Sequence, residues 1–234
     1  MFTEAEFKAF SLSHGLAVFI VFCIAVGLLL WVRKKPSQLN DQPLRIGFAI
    51  VLFYSSIAGI VNAYLRLGNE SFARIHETEY PLFLCDVVAI VLGVAMLKKS
   101  QRLTEVGYAW GMAGTLQGLI TPVVRYDFPS LEYFFFFVQH GGVPIAAILL
   151  IWGYGLRPQQ GAYRRIWIWT WGYLLTTMGL NFLLGTNYSF LNAKPPVPTA
   201  FDLLGAYPWY LLSLHGVAAV VYFLLLLPFK TEKN

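Results

Sequence analysis

Two side chains of this sequence have the types that nucleophilic acyl chemistry needs, Cys85 and His140. Pro81 is predicted to be the first residue of a helix, because its missing N–H costs nothing there. Cys85 then lies about one turn inside that helix, where the positive end of the helix dipole favours the nucleophilic thiolate. The alternative is that Cys85 is a small buried apolar residue, which is how we interpret Cys23, a cysteine without polar neighbours in the sequence.

His140 lies deep within a second apolar segment, about 13 Å from its start at the helical rise of 1.5 Å per residue. Pro144 follows four residues later and cannot donate a hydrogen bond to the carbonyl of His140. We therefore expect the helix to kink or open at His140. Open helices at membrane depth line cavities, which favours a site, whereas a structural kink with a hydrogen-bonded histidine is the alternative.

A thiol and an imidazole in one water-accessible pocket suggest nucleophilic catalysis on an acyl ester, with the histidine moving the protons. Asp86 either orients the imidazole or repels the thiolate, and both remain open. The polar side chains that are candidates for stabilising an oxyanion or positioning the substrate are Asp86, Gln117, Gln139, Asn181, Asn187 and His215.

We predict neither a cofactor nor a bound metal. The histidines nevertheless permit a zinc-dependent membrane hydrolase as a third hypothesis, because His14, His140 and His215 lie in apolar segments toward the same side. No His-x3-His pair and no carboxylate-rich motif strengthens this hypothesis.

The elements that must position these residues are membrane helices. The chain is 57% hydrophobic and 12% charged, whereas a soluble domain is about 25% charged. Its apolar blocks of about 18 to 22 residues are long enough to cross a hydrocarbon core of about 30 Å. We predict one all-α transmembrane domain over 1–234 with about seven spans, near 14–32, 44–65, 81–97, 103–120, 131–152, 163–184 and 208–228.

The basic residues predict the orientation of the bundle. Twelve of the 17 Lys and Arg fall on one side of the predicted spans, and the positive-inside rule places that side in the cytoplasm. The N-terminus is then outside and the C-terminus inside, and the net charge of +5 indicates topology and not nucleic-acid binding. Short loops without an appended domain predict a multi-pass protein of the bacterial plasma membrane.

Most polar side chains within the spans fall in the predicted outer half, which indicates a polar cavity that opens to the outer leaflet. The Pro-rich, apolar outer loop 185–207 is either an ordered lid or an interfacial loop without chemistry. Gly185 at its start is either part of the site or a helix cap. A four, three, four spacing of glycines predicts a small-residue packing face on the fourth span: Gly107, Gly111, Gly114 and Gly118.

Three stretches of the chain carry a resemblance to a known family. They read YPLFLCD at 80–86, FPS at 128–130 with QHGG at 139–142, and LGTNY at 184–188 with LN at 191–192. In these motifs and in the number of spans, the chain resembles the bacterial YwaF-like integral membrane proteins, which are similar to the eukaryotic transmembrane-protein-164 family. Many relatives have histidine two residues before the cysteine, where this chain has Phe83.

The resemblance implies a membrane acyltransferase that moves fatty acyl chains between a phospholipid and a lysophospholipid, with Cys85 as acyl carrier and His140 as base. A more distant similarity to the androgen-induced membrane hydrolases, which use threonine and histidine, makes ester hydrolysis a neighbouring activity. The alternative is a non-enzymatic transporter or binding protein for lipids or small solutes. A transporter usually shows inverted repeats and polar residues in both halves, so the bare inner half favours an enzyme.

Overall fold

The computed structural model describes residues 5–34, 40–68, 71–195 and 199–229, and these residues form helices joined by loops. Within them the only β feature is an isolated bridge between Glu6 and Tyr126. We number the long helical segments α1 (Leu12–Lys34), α2 (Gln42–Leu67), α3 (Leu84–Lys98), α4 (101–120), α5 (Leu131–Gly153), α6 (Ala162–Leu184) and α7 (Trp209–Phe229). Short helical turns connect them at Ser71–Arg74, Ile75–Glu79, Tyr188–Phe190 and Ala200–Leu204.

Four of these helices, α1, α2, α5 and α7, are long and apolar enough to cross a membrane. Helices also form at the other three predicted spans, but these do not combine the required length with the required hydropathy. Helix α3, for example, has 15 residues and is about 22 Å long. An all-α membrane fold is therefore confirmed, whereas the seven spans and the orientation of the termini stay predictions.

Helices α2, α3, α4 and α5 form the packed centre of the bundle. The glycine face of α4 lets this packing be close, as predicted. A Cβ at Gly107 would lie 2.4 Å from Cδ2 of Leu92, and one at Gly111 would lie 3.0 Å from Cγ1 of Val143. Such contacts are possible only without side chains on α4, so the neighbouring helices approach its backbone directly.

The outer helices expose apolar side chains. In the most apolar 18-residue stretch of α1 only 11% is buried, whereas in that of α5 67% is buried. Trp171 and Phe182 on α6 and Phe223 on α7 are likewise exposed. Exposed apolar area of this extent marks a surface that contacts lipid or protein, and together with four spanning-length helices it makes the chain a multi-pass membrane protein.

Helix α5 does not open at His140, which was one of the two outcomes that we expected there, the other being a kink. The α-helix runs without a break over Leu131–Ile148 with Pro144 inside it, so the lost hydrogen bond to the carbonyl of His140 does not interrupt the helix. The wide turns lie elsewhere, as π-helical segments at Gly111–Thr115 in α4 and Leu149–Gly153 in α5. Such segments are frequent near functional sites, and the one in α4 lies beside the start of α3.

The bundle has two ends with different polar groups. We call the end that contains the start of α3 and the end of α4 the Cys85 end. The opposite end, with the start of α4 and the start of α6, is the Glu105 end. At the Glu105 end, Arg165 donates two hydrogen bonds to the fully buried carboxylate of Glu105, from Nε at 2.8 Å and from Nη2 at 2.9 Å.

Candidate functional site

Helix α3 begins inside the bundle and not at its surface. It starts at Leu84, three residues later than the predicted start at Pro81, so Cys85 is in the first turn. A Cβ at Gly114 would lie 2.7 Å from Leu84 Cδ2, and one at Gly118 would lie 2.2 Å from His140 Cδ2. Since Gly118 is closer to the Cys85 end of α4, the start of α3 lies about one helical turn deeper than His140.

The thiol of Cys85 has no side-chain hydrogen-bond partner among the described residues, and the side chain is half-buried. The backbone N–H groups of Cys85 and Asp86 lie next to its sulfur, although the N–H of Asp86 also donates to the carbonyl of Phe83 at 3.0 Å. These donors and the positive end of the helix dipole favour a negative charge on the sulfur. Burial and the adjacent carboxylate of Asp86 oppose it.

Asp86 joins three helices at this point. Its Oδ1 accepts a hydrogen bond of 2.7 Å from Nε2 of Gln139 on α5, and the same amide lies 3.4 Å from the carbonyl of Ser55 on α2. The hydroxyl of Ser56 donates to the carbonyl of Asp86 at 3.1 Å. Among the described residues no Lys or Arg pairs with Asp86. The structure thus brings two predicted site residues, Asp86 and Gln139, into direct contact.

His140 is buried, and its hydrogen bond defines its tautomer. Nδ1 lies 3.0 Å from the carbonyl oxygen of Phe136, and because a carbonyl only accepts, Nδ1 carries the proton. The imidazole also stacks on the ring of Phe136 at 3.9 Å. Nε2 then holds a lone pair, has no described partner, and lies against the backbone of α4 at Gly118.

Cys85 and His140 are not hydrogen-bonded to each other. Leu84, the residue before Cys85, packs at Gly114 of α4, whereas His140 packs at Gly118, one helical turn away and about 6 Å along the axis. Catalytic hydrogen bonds are often long before substrate binds and tighten in the complex. Transfer of a proton between the two groups therefore requires the substrate complex to bring them together.

Two hydroxyl groups that the sequence did not single out hold the chain just before Cys85. Tyr173 on α6 donates to the carbonyl of Leu82 at 2.9 Å and is hydrogen-bonded to Oγ of Ser189. Ser189 Oγ in turn accepts the N–H of Leu84 at 3.1 Å. No sequence signal could have found this pair, because it depends on the rotation of α6 and on the path of a loop.

Asn181 uses its side chain to hold the 185–207 segment. Its Nδ2 donates to the carbonyl of Tyr188 at 2.9 Å, while its Oδ1 accepts from the N–H of Tyr188 at 2.7 Å and from the hydroxyl of Thr186 at 2.9 Å. Burial raises the pKa of Tyr188, whose hydroxyl donates to the carbonyl of His76 at 2.9 Å. The amide of Asn181 is thus engaged in loop structure rather than directed at the thiol.

The remaining candidates lie apart from the Asp86–Gln139 contact. Asn187 bonds within its own segment, to the N–H of Asn192 and the carbonyl of Ala193, and Gln117 is exposed. His215 lies between α6 and α7 against the rings of Trp167 and Trp171, where Nδ1 donates to the carbonyl of Leu211 at 2.6 Å and Nε2 is buried without a hydrogen-bond partner.

The 185–207 segment packs over the start of α3, although its residues 196–198, with Pro196 and Pro198, lie outside the described part. Gly185 ends α6 with a φ of 67° and its N–H bonded to the carbonyl of Asn181, which confirms its interpretation as a helix cap. Phe83 contacts the rings of Tyr188 and Phe190 with centroids 5.2 and 5.5 Å apart. An aromatic contact therefore joins the residue before α3 to the loop.

A zinc site gains no support from the described residues, among which no three His, Cys, Asp or Glu side chains form a group that could hold a metal. His14 in particular has both ring nitrogens engaged. Nδ1 accepts the N–H of Phe10 at 2.9 Å, and Nε2 donates to the carbonyl of Leu119 at 2.7 Å. His14 therefore ties the start of α1 to the end of α4.

Comparison with known proteins gives a family and no closer relative. Neither a curated protein nor a solved structure matches the chain significantly. The model of the TMEM164 family matches residues 9–227, which include helices α1 to α6, all but the last two residues of α7, and every candidate site residue. The chain therefore belongs to the TMEM164 family.

Proposed function

We propose that this protein is a membrane acyltransferase that moves fatty acyl chains between phospholipids, with Cys85 as nucleophile and His140 as general base. The observation that carries the proposal is the tautomer of His140. Its proton is held on Nδ1 by the carbonyl of Phe136, so Nε2 keeps a lone pair that can accept a proton. His140 packs on α4 at Gly118, one helical turn from Gly114, which contacts Leu84, the residue before Cys85. Membership of the TMEM164 family is consistent with this activity.

The reaction follows in two balanced steps. Nε2 of His140 takes the proton of the Cys85 thiol, and the sulfur attacks the ester carbonyl of a phospholipid. The carbon–oxygen bond breaks, the acyl group stays on sulfur as a thioester, and the lysophospholipid alkoxide takes the proton from the imidazolium. In the second step the hydroxyl of an acceptor lysophospholipid gives its proton to His140 and attacks the thioester, and Cys85 leaves as thiolate and regains the proton.

The first turn of α3 would stabilise the negative charge that develops during the reaction. We assign the backbone N–H of Cys85, which is next to its sulfur, to stabilising the oxyanion that forms when the sulfur attacks the ester carbonyl. Gln139 fixes Asp86 at 2.7 Å, so we assign both to the positioning of this turn. We assign Asn181 and Asn187 to the holding of the loop that covers it.

The surroundings of the thiol suit a lipid substrate. Apolar helix surfaces face outward around the bundle, and the start of α3 is covered by the rings of Phe83, Tyr188 and Phe190. A phospholipid can therefore keep its acyl chain in apolar contact while its ester reaches the recessed helix end. With water as the acceptor the same thioester would be hydrolysed, in keeping with the resemblance to the androgen-induced hydrolases. Entry from the outer leaflet of a bacterial plasma membrane, as in a YwaF-like protein, is part of the proposal.

The test is acyl transfer from a chain-labelled phospholipid to an unlabelled lysophospholipid by the purified full-length protein in mixed micelles. Cys23→Ala is the matched control, because Cys23 is the other cysteine and lies exposed on α1. We expect Cys23→Ala to keep wild-type turnover and Cys85→Ala to lose it by about 1000-fold or more, as enzymes without their nucleophile do. Equal turnover in the two variants would remove Cys85 as nucleophile. An inactive wild type that still binds the lipid would favour the binding or transport function.

A further inference from the structure

The chain immediately before Cys85 is fixed on both sides of Phe83 by one pair of hydroxyl groups. Tyr173 holds the carbonyl of Leu82, and Ser189 holds the N–H of Leu84. The two hydroxyls are also hydrogen-bonded to each other. Helix α6 and the loop that follows it therefore meet the start of α3 one residue away from the thiol, although α3 lies about a hundred residues earlier in the sequence.

Ser189 also adopts an unfavourable backbone conformation to make this contact. Its φ and ψ are 57° and 20°, the left-handed region that glycine enters at no steric cost and that other residues reach at about 1 kcal/mol or more. Phe190 follows with a φ of 55°. Because glycine would suit the backbone at Ser189 better, the hydroxyl is what serine adds at this position. Strained residues of this kind persist where the surrounding contacts fix them.

The hydroxyl of Ser189 acts as a helix cap from outside the helix. The residue before α3 is Phe83, whose side chain makes no cap hydrogen bond. A serine oxygen that accepts a free N–H of the first turn stabilises the helix end, and its loss costs about as much as the loss of a normal N-cap. Here the acceptor comes from a loop that is 105 residues away in sequence.

We propose that Tyr173 and Ser189 are positioning residues for Cys85, so that the thiol site is complete only while Ser189 is seated on the start of α3. The Tyr173 hydroxyl orients Ser189, and Ser189 holds the first turn. When the pair is lost, residues 82–85 fray, the sulfur becomes more open to reagents, and it no longer faces a bound ester. The proposal rests on the proposed function for its catalytic consequence, but not for its effect on the thiol.

The experiment measures the rate at which a small maleimide alkylates Cys85 in the full-length, detergent-solubilised protein, in a Cys23→Ala background that removes the exposed thiol. Ser189→Gly removes the hydroxyl and relieves the backbone strain, and Tyr173→Phe removes one hydroxyl and keeps the ring. Tyr163→Phe is the matched control, since Tyr163 is also on α6 and its hydroxyl bonds to the carbonyl of Ala219.

We expect Ser189→Gly and Tyr173→Phe each to speed alkylation about tenfold, the size of effect that loss of one cap gives. The double variant should be no faster than the faster single variant, because both changes break one hydrogen-bonded unit. Ser189→Asn should restore the slow rate, since asparagine tolerates the left-handed region and caps helices. In the acyl-transfer assay Ser189→Gly and Tyr173→Phe should lower kcat while KM stays unchanged.

Rates in both single variants that equal the Tyr163→Phe control would overturn the proposal, as would independent effects that multiply in the double variant. A fall in melting temperature without any change in alkylation would show a purely structural contact and would equally overturn it. If alkylation changes as expected while the parent protein shows no acyl transfer, the positioning role stands and the proposed function fails.

Discussion

The two ends of the bundle hold their carboxylates in opposite ways. At the Glu105 end the carboxylate of Glu105 has a bidentate arginine partner, and Asp41 is paired with Arg45 at 3.3 Å and with Lys99 at 3.5 Å. At the Cys85 end the carboxylate of Asp86 is held by the neutral amide of Gln139, and no described side chain is hydrogen-bonded to the sulfur of Cys85 or to Nε2 of His140.

This difference separates groups that hold the fold from groups that are free to react. A buried charge with a complete set of partners is costly to disturb and gains nothing from a substrate. At the Cys85 end a carboxylate without a cation and an imidazole lie inside a membrane bundle, and polar groups of this kind usually mark a functional site. The comparison therefore predicts that changes at the Glu105 end affect stability and changes at the Cys85 end affect turnover.

The largest effect on stability is expected from Arg165→Leu. It leaves the fully buried Glu105 without its cation, and removal of one partner of a buried pair costs about 3 kcal/mol or more. Arg164→Leu is the control, because Arg164 precedes it on α6 and is exposed. Thermal unfolding in detergent measures both variants. Similar melting temperatures for the two would contradict a structural role for the Glu105–Arg165 pair.

The next largest effect is expected from Gly118→Ala, and its distinguishing result is a loss of turnover. The added methyl would lie 2.2 Å from Cδ2 of His140 and must displace the imidazole, so we expect turnover to fall about 100-fold, the lower range for loss of a general base. Gly107→Ala is the matched control, because Gly107 is also on α4 and its added methyl would lie 2.4 Å from Cδ2 of Leu92.

Both glycine variants should lose similar stability, since each forces one side chain to move by a similar distance. Acyl-transfer rates, compared at an equal folded fraction of each protein, distinguish the two variants, because only Gly118→Ala should lower turnover. If Gly107→Ala lowers turnover as much as Gly118→Ala, then α4 packing as a whole and not the position of His140 governs activity.

The smallest effect is expected from Gln139→Leu, which removes the donor to Asp86 and leaves a buried carboxylate unsatisfied. Such a loss costs about 1 to 3 kcal/mol, and we expect turnover to fall by about tenfold because the first turn of α3 shifts. Gln101→Leu, which removes a hydrogen bond to the carbonyl of Arg157 at the Glu105 end, serves as the comparison. A larger loss of turnover in Gln101→Leu would contradict the assignment of the two ends.

The sequence predicted the features that depend on spacing within one helix. The glycine face of α4 and the cap at Gly185 follow from local rules, because helical periodicity and glycine's conformational freedom act over a few residues. The membrane class follows from composition. Local rules also identified Cys85 and His140 as candidate site residues, although their chemical roles stay predictions.

The features that depend on tertiary contacts were not predictable from spacing. The start of α3 at Leu84 instead of Pro81 is set by Ser189 and Tyr173, which come from a distant loop and another helix. The helix through Pro144 likewise stays closed where the local rule predicted an opening. In each case the partner or the packing that decides the outcome lies far away along the chain.

The most direct test of the account is the intact mass of the purified protein after incubation with phospholipid, followed by peptide mapping and by a chase with lysophospholipid. A thioester mechanism predicts one added acyl mass that maps to Cys85, is absent from Cys85→Ala, persists in Cys23→Ala and disappears during the chase as acylated lipid forms. An adduct that survives in Cys85→Ala, or active wild-type protein that never carries an adduct even when the acceptor is withheld, would contradict the thioester mechanism.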